Sequence, residues 1–298
     1  MTALYVIVSV LALLGIYSFI ETKLLKTTFY TAGSSRIPKE LDGKRIVLLS
    51  DLHNTYFGND NSKLMKLVAD ARPDMIIIAG DLINGRSSRK QFGYAYRVLE
   101  QLSEMKVPVY YSFGNHEYRV DGAFNNEGPF REYLDNCTKR SIVLNNASCG
   151  LENREAVDDT NHDQKVRETR IYGLNLPKAQ FDMKVSAGLI KPVSYYVGEA
   201  DRDNYNILIA HDPSYFEDYM KWGADLVLSG HVHGGVIRLP FIGGLLSPRY
   251  TFFPKIDKGI FRSGEGTMVA SGGIGWHNLP FRFMNRPEVV IIDLKKNK

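Results

Sequence analysis

The feature that most constrains the fold is an aliphatic run, Ile46-Val47-Leu48-Leu49, followed at once by Ser50-Asp51-Leu52-His53. Consecutive aliphatic residues are typical of a strand that is buried on both faces, as in an α/β sheet. Side chains two positions apart in an extended chain point to the same side, so Asp51 and His53 are expected to converge at the end of the strand. A carboxylate beside an imidazole at that end suits a metal ion. Taken alone, the pair favours a capping Asp beside a surface His.

The same pattern recurs further along the chain. A second predicted strand, Met75–Ala79, ends in Gly80-Asp81, and a third, residues 109–113, ends in Gly114-Asn115-His116-Glu117. Amphipathic helices are predicted between the strands, over residues 62–71, where Asn61 is a candidate cap, and over residues 91–105. Strands that alternate with helices predict a parallel sheet with right-handed crossovers. The three polar clusters should therefore meet at one edge of that sheet.

The flanking regions and the second half of the chain also contain predicted elements. Helices are expected over residues 130–136 and 214–222, and the polar residues 145–168 are expected to form short strands around a mobile hairpin loop. Further strands are predicted over residues 24–32, 169–174, 205–210, 226–229, 236–238, 268–271 and 289–294.

Histidines are concentrated at the ends of the predicted strands. The chain has seven, and all but His162 and His277 follow a strand. Asp51, Asp81 and Asn115 occupy the same kind of position. A nitrogen and oxygen ligand set of this size exceeds what one zinc ion needs, and it predicts a two-metal site bridged by a carboxylate. The histidines that follow strands are His53, His116, His211, His231 and His233.

Composition excludes several classes of protein. The 298 residues carry 37 basic and 33 acidic side chains, and a net charge of +4 is too small and too dispersed to indicate a nucleic-acid-binding surface. The two cysteines, Cys137 and Cys149, form neither a disulfide scaffold nor a thiolate metal site, and the sequence leaves open whether they pair.

The chain begins with an uncharged apolar stretch over residues 3–20. As a helix it would be about 27 Å long, close to the roughly 30 Å hydrocarbon core of a bilayer. A cleaved signal peptide would carry Lys or Arg before the apolar run and small residues after it, and neither is present. We therefore expect an uncleaved transmembrane anchor over residues 1–23; a signal peptide and a buried helix are the alternatives.

Five blocks of the sequence resemble the calcineurin-like metallophosphoesterase family: Asp51-x-His53, Gly80-Asp81, Gly114-Asn115-His116-Glu117, His211 and Gly230-His231-x-His233. The resemblance implies two packed mixed β-sheets flanked by helices, an α/β sandwich that would occupy residues 44–298, after a linker and first strand over residues 24–43. The anchor, the Ser-Asp-Leu-His form and the segment Arg286-Pro287-Glu288-Val289 resemble its membrane-anchored bacterial branch. Some members of that branch are implicated in hydrolysing UDP-2,3-diacylglucosamine, in lipid A-type metabolism.

The resemblance also implies roles for individual residues. Asp51, His53 and His233 would hold one divalent metal, and Asn115, His211 and His231 would hold the other. Asp81 would bridge the two ions. Histidine-rich sites favour manganese, iron or zinc over magnesium. The two ions would activate a water molecule for in-line attack on phosphorus.

His116 directly follows a metal ligand and is the candidate general acid for the leaving oxygen. The alternative is a structural histidine bonded to Glu117 or Asp81. Weaker candidates for substrate contact are Asn54 and Asn84, for which loop-structural roles fit as well. Two further candidates are Arg86, for which a solvated side chain is the favoured alternative, and His277, in a glycine-rich loop.

The apolar stretch over residues 239–253 is expected to pack in the core, with a lipid-facing lip above the metals as the alternative. Taken together, the sequence predicts a membrane-anchored metal-dependent phosphodiesterase or pyrophosphohydrolase for a phosphate-containing small molecule or a lipid-linked nucleotide. A nuclease of the same superfamily and a non-catalytic metal-binding interaction module are the alternatives. The positive-inside rule places the domain on the cytoplasmic side of the cell membrane. The oligomeric state is left open.

Overall fold

The computed structural model describes residues 1–85, 89–120, 122–123, 125–151, 168–182, 188–235, 237–239, 241–245, 252–276 and 280–297. Arg86 and His277 lie outside the described residues, as do His162 and most of the predicted loop over residues 145–168. The structure therefore gives no outcome for the proposed substrate contacts of Arg86 and His277.

The described residues form seven α-helices and fourteen strands. The helices are α1 (Thr2–Glu21), α2 (Ser62–Asp70), α3 (Arg89–Ser103), α4 (Gly128–Thr138), α5 (Lys178–Asp182), α6 (Val193–Val197) and α7 (Phe216–Trp222). The first seven strands are β1 (Lys26–Ser34), β2 (Arg45–Leu49), β3 (Met75–Ala79), β4 (Val109–Ser112), β5 (Ile142–Val143), β6 (Ala147–Gly150) and β7 (Thr169–Leu174). The others are β8 (Tyr205–Ala210), β9 (Leu226–Ser229), β10 (Arg238–Leu239), β11 (Gly243–Gly244), β12 (Gly259–Ser263), β13 (Gly266–Ala270) and β14 (Glu288–Lys296).

Two mixed six-stranded sheets form the body of the protein. The first has the order β1-β14-β2-β3-β4-β5, and all its neighbours are parallel except β14 and β2. The second has the order β12-β13-β9-β8-β7-β6, with antiparallel pairs at both edges and parallel pairs between them. The predicted parallel run of β2, β3 and β4 is confirmed. A small hairpin, β10–β11, stands apart from both sheets.

The two sheets pack face to face, and helices cover their outer faces. Alternate residues of each strand explain this layering: Ile46 and Leu48 are buried among side chains of the second sheet, whereas Val47 and Leu49 are buried against α2 and α3. On the other side, α6 and α7 pack on the second sheet through Tyr219 and its neighbours. Burying each such aliphatic side chain contributes about 1.5–3 kcal/mol. The predicted sandwich of two mixed sheets flanked by helices is confirmed.

Some sequence-based predictions differ from the structure. Strand β12 was not predicted, because Gly259–Ser263 is half-exposed and lacks a clean alternation of apolar and polar residues. The predicted helix over residues 214–222 begins with a 3₁₀ turn, Pro213–Tyr215, and Asp212 caps it by accepting the amide N–H of Ser214 at 3.0 Å. Asn61 precedes α2 but makes no capping bond with its side chain. Cys137 is buried, Cys149 is half-buried, and both are free thiols.

The expectation that the stretch over residues 239–253 packs in the core is wrong for its described aromatic residues. Phe241, Phe252 and Phe253 are exposed, and so is Ile242. Phe241 and Ile242 lie in the turn between the two-residue strands β10 and β11, which pair with each other and with neither large sheet.

Helix α1 is long and apolar enough to cross a membrane, with a mean hydropathy of 2.4 over its most apolar window. Nearly all of its apolar side chains are exposed, and the buried positions are Ser18 and Glu21 at its carboxyl end. An isolated apolar helix is unstable in water unless something covers it. By its length and composition, α1 is therefore a candidate membrane span.

Candidate metal centre

The polar residues that follow β2, β3, β4, β8 and β9 converge at one point between the two sheets. Three groups of side chains place their ligand atoms within 4.8 Å of one another: Asp51 with His53 and His233; His53 with Asp81 and His116; and Asp81 with His211 and His231. Two of the groups share Asp81, and two share His53. The structure therefore brings together all the predicted histidine and aspartate ligands, and they are buried.

The distances within the cluster resemble those around a shared cation. The Nε2 atom of His211 lies 3.2 Å from Asp81 Oδ2, and that of His233 lies 3.4 Å from Asp51 Oδ1. The Nε2 atoms of His53 and His233 are only 3.1 Å apart. Ring nitrogens and carboxylate oxygens that point inwards at such separations form a donor set suited to transition metals.

Asn115, the remaining predicted ligand, follows Gly114 in the loop after β4. It is buried, and its side-chain oxygen Oδ1 accepts no hydrogen bond from the residues that the structure describes. An unsatisfied buried carbonyl oxygen costs about 1–3 kcal/mol. A cation held by Asn115 together with the histidines would remove that cost. The residues present therefore fit a metal site.

The backbone at the cluster differs from the extended conformation expected from the sequence. Asp51, His53, Asp81, His231 and His233 have φ values of 53°, 46°, 53°, 70° and 51°. The side chains of Asp51 and His53 therefore converge because the chain turns sharply after β2, and the argument from alternation along a strand is wrong. Left-handed conformations of non-glycine residues cost of order 1–3 kcal/mol each and persist where function requires them.

Gly80 allows the turn after β3, which carries Asp81, to approach the turn after β4, which carries Asn115. Its φ is +85°, and a Cβ atom there would lie 2.7 Å from the backbone of Gly114 and from Nδ1 of His211. Any side chain at this position would push the Asn115 loop away from Asp81. The glycine of the Gly-Asp pair is therefore a packing requirement of the site.

Hydrogen bonds from outside the cluster orient the ligands. His211 donates from Nδ1 to the carbonyl oxygen of Ala79 at 2.7 Å, which directs its Nε2 at Asp81. The carboxylate of Asp51 accepts the amide N–H of His231 at 3.1 Å. Asp81 Oδ1 accepts the amide N–H of His116 at 2.8 Å and leaves Oδ2 facing the histidines. Such outer partners fix the tautomer and angle of metal ligands.

The charges of these groups are strongly coupled. Burial raises the pKa of Asp51 to about 6. Burial opposes ionisation of Asp81, but the positive charges of His211 and His116 hold its pKa well below the usual range. Burial would lower the pKa of His211, yet Asp81 and Asp51 raise it to about 10. Without a metal, the positive charge of protonated His211 compensates the negative charge of the carboxylates. A bound divalent cation would supply that positive charge instead and would displace the proton.

Glu117 joins the loops that carry the ligands, a role that the sequence did not reveal. Its Oε2 accepts the amide N–H groups of Asp81 and Gly114 at 3.0 and 2.8 Å. Its Oε1 accepts from the amide of Leu82 at 2.8 Å and from the hydroxyl of Tyr111 at 2.7 Å. The carboxylate is fully buried, and burial raises its pKa. Glu117 thus fixes the Asp81 turn against the Asn115 turn.

The variant Glu117→Gln should be less stable by about 2–3 kcal/mol, because its amide group must face a backbone N–H and leave a buried donor unsatisfied. Unfolding in denaturant measures this difference. The control is Glu104→Gln on the exposed surface, which should stay within about 0.5 kcal/mol of the parent. Equal stability of the two variants would show that Glu117 does not join the loops.

Two further buried side chains, Arg282 and Asn285, hydrogen-bond to the backbone on the His233 side of the cluster. Arg282 donates to the carbonyl oxygens of Gly272, Gly273 and Gly275 at 2.9, 3.1 and 2.6 Å. Asn285 donates from Nδ2 to the carbonyl oxygen of His233 at 2.6 Å. In the sequence, both residues lie next to Arg286-Pro287-Glu288, a segment that resembles the family. Nothing in the sequence indicated that Arg282 and Asn285 are buried.

His116 lies at the edge of the cluster. Its Nδ1 donates to the carbonyl oxygen of Asn84 at 2.8 Å, and its Nε2 lies 3.8 Å from Asp81 Oδ2. Arg119, which the sequence did not single out, is exposed and places Nη1 3.2 Å from the same Nε2. The side chain of Asn54 accepts the amide of Asn84 at 2.9 Å and donates to the carbonyl of Gln91 at 2.8 Å. These bonds favour the structural alternative for Asn54.

Comparison with known proteins agrees with this geometry. The family model for calcineurin-like phosphoesterases matches residues 44–235. An uncharacterized metallophosphoesterase of Aquifex aeolicus is 30% identical over 292 residues, covering 95% of this chain and 97% of its own. The uncharacterized metallophosphoesterase YkuE of Bacillus subtilis is 27% identical and covers 94% of this chain and 89% of its own.

A third relative, the phosphodiesterase YaeI of Escherichia coli, is 27% identical over 260 residues, which is 84% of this chain and 82% of its own. The matched residues 44–235 contain every strand end that contributes to the cluster. The chain therefore belongs to the calcineurin-like phosphoesterase family and is a metal-dependent phosphoesterase.

Proposed function

We propose that the protein hydrolyses a phosphodiester or pyrophosphate bond with two divalent metal ions. The observation that carries the proposal is the shared position of Asp81 between two groups of converging ligand atoms. Asp51, His53 and His233 would hold one ion, and Asn115, His211 and His231 the other, with Asp81 between them. When bound, such a pair of ions supplies an activated water molecule and offsets charge on the phosphoryl oxygens. Manganese, iron and zinc suit the donor set best.

His116 is the proposed general acid. Because its Nδ1–H is held by the carbonyl oxygen of Asn84, its Nε2 is the atom that faces the cluster. A proton on Nε2 would be delivered to the leaving oxygen, which otherwise departs as an unstable alkoxide. Arg119 Nη1 would have to leave Nε2 before that proton is placed there, and its guanidinium would then be a suitable partner for the substrate phosphate.

Hydrolysis of a nitrophenyl phosphodiester by the purified protein, with manganese added and with chelator as the control, tests the function. A non-catalytic interaction module would show no metal-dependent turnover. A nuclease would be inhibited by single-stranded DNA, and we expect no inhibition because the net charge of +4 supplies no basic groove. Metal-independent turnover, or none in the presence of any of the three metals, would contradict the proposal.

We further propose that α1 anchors the protein in the cell membrane and that the domain faces the cytoplasm. Lys23, Lys26, Arg36, Lys39 and Lys44 all follow the apolar run, whereas the side chains of Met1 and Thr2 before it are uncharged. Such an asymmetry favours a cytoplasmic position of the basic flank.

Deletion of residues 1–23 should move the protein to the soluble fraction with its metal content unchanged, because none of the ligands lies in that segment. Fractionation and metal analysis check this result. Deletion of residues 1–16 is the matched variant, since it keeps the hydrogen bond of Ser18 to the domain. Protease added to intact cells should leave the domain of the full-length protein uncut, and digestion from outside would overturn the cytoplasmic position.

The proposed substrate is amphipathic, such as a lipid-linked nucleotide of the UDP-2,3-diacylglucosamine type. Only Thr22 to Leu25 separate α1 from β1, so the metal centre is held close to the anchor. That confinement raises the effective concentration of a lipid-bound substrate and not of a soluble one.

The value of kcat/KM for an acylated nucleotide diphosphate should exceed that for its deacylated analogue by at least about tenfold, or about 1.4 kcal/mol. Both substrates are compared with the full-length protein in the same detergent. Equal values would show that the protein does not recognise the lipid, and the amphipathic substrate would be withdrawn while the phosphodiesterase assignment stands.

A further inference from the structure

The carboxyl end of α1 is attached to the segment that supports the metal centre. The hydroxyl of Ser18 accepts the amide N–H of Arg282 at 2.9 Å. The ring of Tyr17 meets that of Phe283 edge-on, with centroids 5.4 Å apart. Further along, Lys23 Nζ lies 4.6 Å from the centre of the Trp276 ring. The helix end and the residues after it therefore have a defined position against Trp276, Arg282 and Phe283.

The hairpin β10–β11, whose turn residues Phe241 and Ile242 are exposed, is attached to the same segment. The amide N–H of Arg238 donates to the carbonyl oxygen of Phe283 at 3.0 Å, and Ile237 forms a β-bridge with Phe283. Phe253 continues the attachment by donating its amide N–H to the carbonyl oxygen of Leu245 at 3.0 Å. Phe283 thus contacts α1 on one side through its ring and the hairpin on the other through its backbone.

Large apolar side chains are exposed around this attachment. We call them the apolar rim: Phe241, Ile242, Phe252, Phe253, Phe281 and Met284. A groove of about 510 Å³ runs between the hairpin tip and Met284. Its floor is polar, because Arg238 and Asp257 form an ion pair there at 2.7 Å. Exposed apolar side chains gathered in one place mark an interaction surface.

We propose that the apolar rim enters the headgroup and upper acyl region of the same bilayer leaflet from which α1 emerges. A lipid surface fits as the partner because the rim is continuous, through Phe283, with the carboxyl end of an apolar helix. The residues at that end suit a membrane interface: Tyr17 and Trp276 are aromatic, and Lys23 and Arg286 are exposed cations that can meet lipid phosphates. The rim adds contact area and orientation to a helix that already supplies the anchoring.

Docking of the rim would set the height of the metal centre above the lipid. Gly234 and Gly235 connect the ligand His233 to the hairpin, and Arg238 donates to the carbonyl oxygen of Gly234 at 2.8 Å. Gly275, whose carbonyl accepts from the side chain of Arg282, donates its amide N–H to the carbonyl oxygen of Asp51 at 2.7 Å. The segments that hold the ligands are therefore bonded to those that carry the apolar rim. With the rim in the bilayer, the metal centre would face the lipid headgroups.

The inference rests on the proposed membrane anchor and not on hydrolysis, so the two can fail separately. The test uses the full-length chain in nanodiscs of phosphatidylcholine and phosphatidylglycerol, with a nitroxide attached at Ile242→Cys or Met284→Cys in a Cys149→Ser background. Collision rates with oxygen, which partitions into lipid, and with a water-soluble nickel chelate report depth. Leu11→Cys, in the middle of α1, is the lipid reference, and Tyr195→Cys, an exposed aromatic position on α6, is the water reference.

The ratio of oxygen to nickel collisions at positions 242 and 284 should exceed that at position 195 by at least about threefold and approach that at position 11. Adding Phe241→Asp, a change at a fully exposed side chain, should return position 242 to the water value without loss of folding. A water-like ratio at position 242 in the parent overturns the proposal, as does a water-like ratio at position 11. Protection of position 242 from both reagents would show a protein partner or a second copy on the rim, and would overturn it as well.

Discussion

Replacing Asp81 with Ala should lower the rate of phosphodiester hydrolysis by at least about 10³-fold, or about 4 kcal/mol in the barrier, because one carboxylate serves both proposed metal positions. Its Oδ2 lies 3.2 Å from Nε2 of His211 and 3.8 Å from Nε2 of His53, and Asp51 Oδ1 is farther from both atoms, at 3.8 and 3.9 Å. Metal content should fall at both positions together. Steady-state kinetics and elemental analysis of the same preparation measure the two losses.

The controls for Asp81→Ala separate chemistry from folding. Asp81 also accepts the amide N–H of His116, so Ala would leave that donor without its partner. Asp81→Asn keeps the size of the side chain and an oxygen for that bond, yet it has lost the charge that two cations need. We expect Asn to fold like the parent and to hydrolyse almost as slowly as Ala. Asp70→Ala, at an exposed position on α2, should leave the rate unchanged. Activity of either Asp81 variant within tenfold of the parent would refute the bridging role.

Replacing His116 with Ala should slow hydrolysis of an alkyl phosphodiester by about 10²–10⁴-fold, the usual contribution of a general acid. A nitrophenyl phosphodiester should lose far less, within about tenfold, because nitrophenolate leaves without a proton. The comparison of the two substrates is the readout, since a purely structural histidine would slow both alike.

Metal content offers a second check on His116. Its Nε2 belongs to one of the converging groups, with His53 and Asp81, but the ligand assignment leaves it outside both metal positions. The alanine variant should therefore bind metal as the parent does. Arg119→Ala is the matched variant, because it removes the neighbour 3.2 Å from Nε2 and keeps the imidazole. Loss of metal together with equal losses on both substrates would reassign His116 as a ligand.

The sequence predicted the strands that carry the site because each is a short, largely apolar run that is buried on both faces. A strand buried on both faces can be recognised from its own residues, without knowledge of what packs on it. Three such strands were predicted at their observed bounds: Met75–Ala79, Tyr205–Ala210 and Leu226–Ser229. Half-exposed strands such as β12 carry a weaker pattern, and it was missed. The two-residue strands of the hairpin are too short to give any periodic signal.

Within the site, the sequence indicated which residues converge but not how the chain brings them together. Left-handed turns at Asp51 and His53 replaced the predicted extended conformation, and the surrounding structure holds these non-glycine residues there. The supporting roles of Glu117 and Arg282 depend on burial and on bonds to distant backbone groups. Neither property has a signature in the local sequence, because Glu and Arg are most often exposed.

The most direct test of the account is the metal content of the full-length protein, purified without chelator and then stripped and reloaded stepwise. We expect two divalent ions per chain, and phosphodiester hydrolysis that is absent from the stripped protein and returns only as the second ion binds. One ion per chain in the fully active protein, or full activity after stripping, would contradict a dinuclear metal-dependent phosphohydrolase.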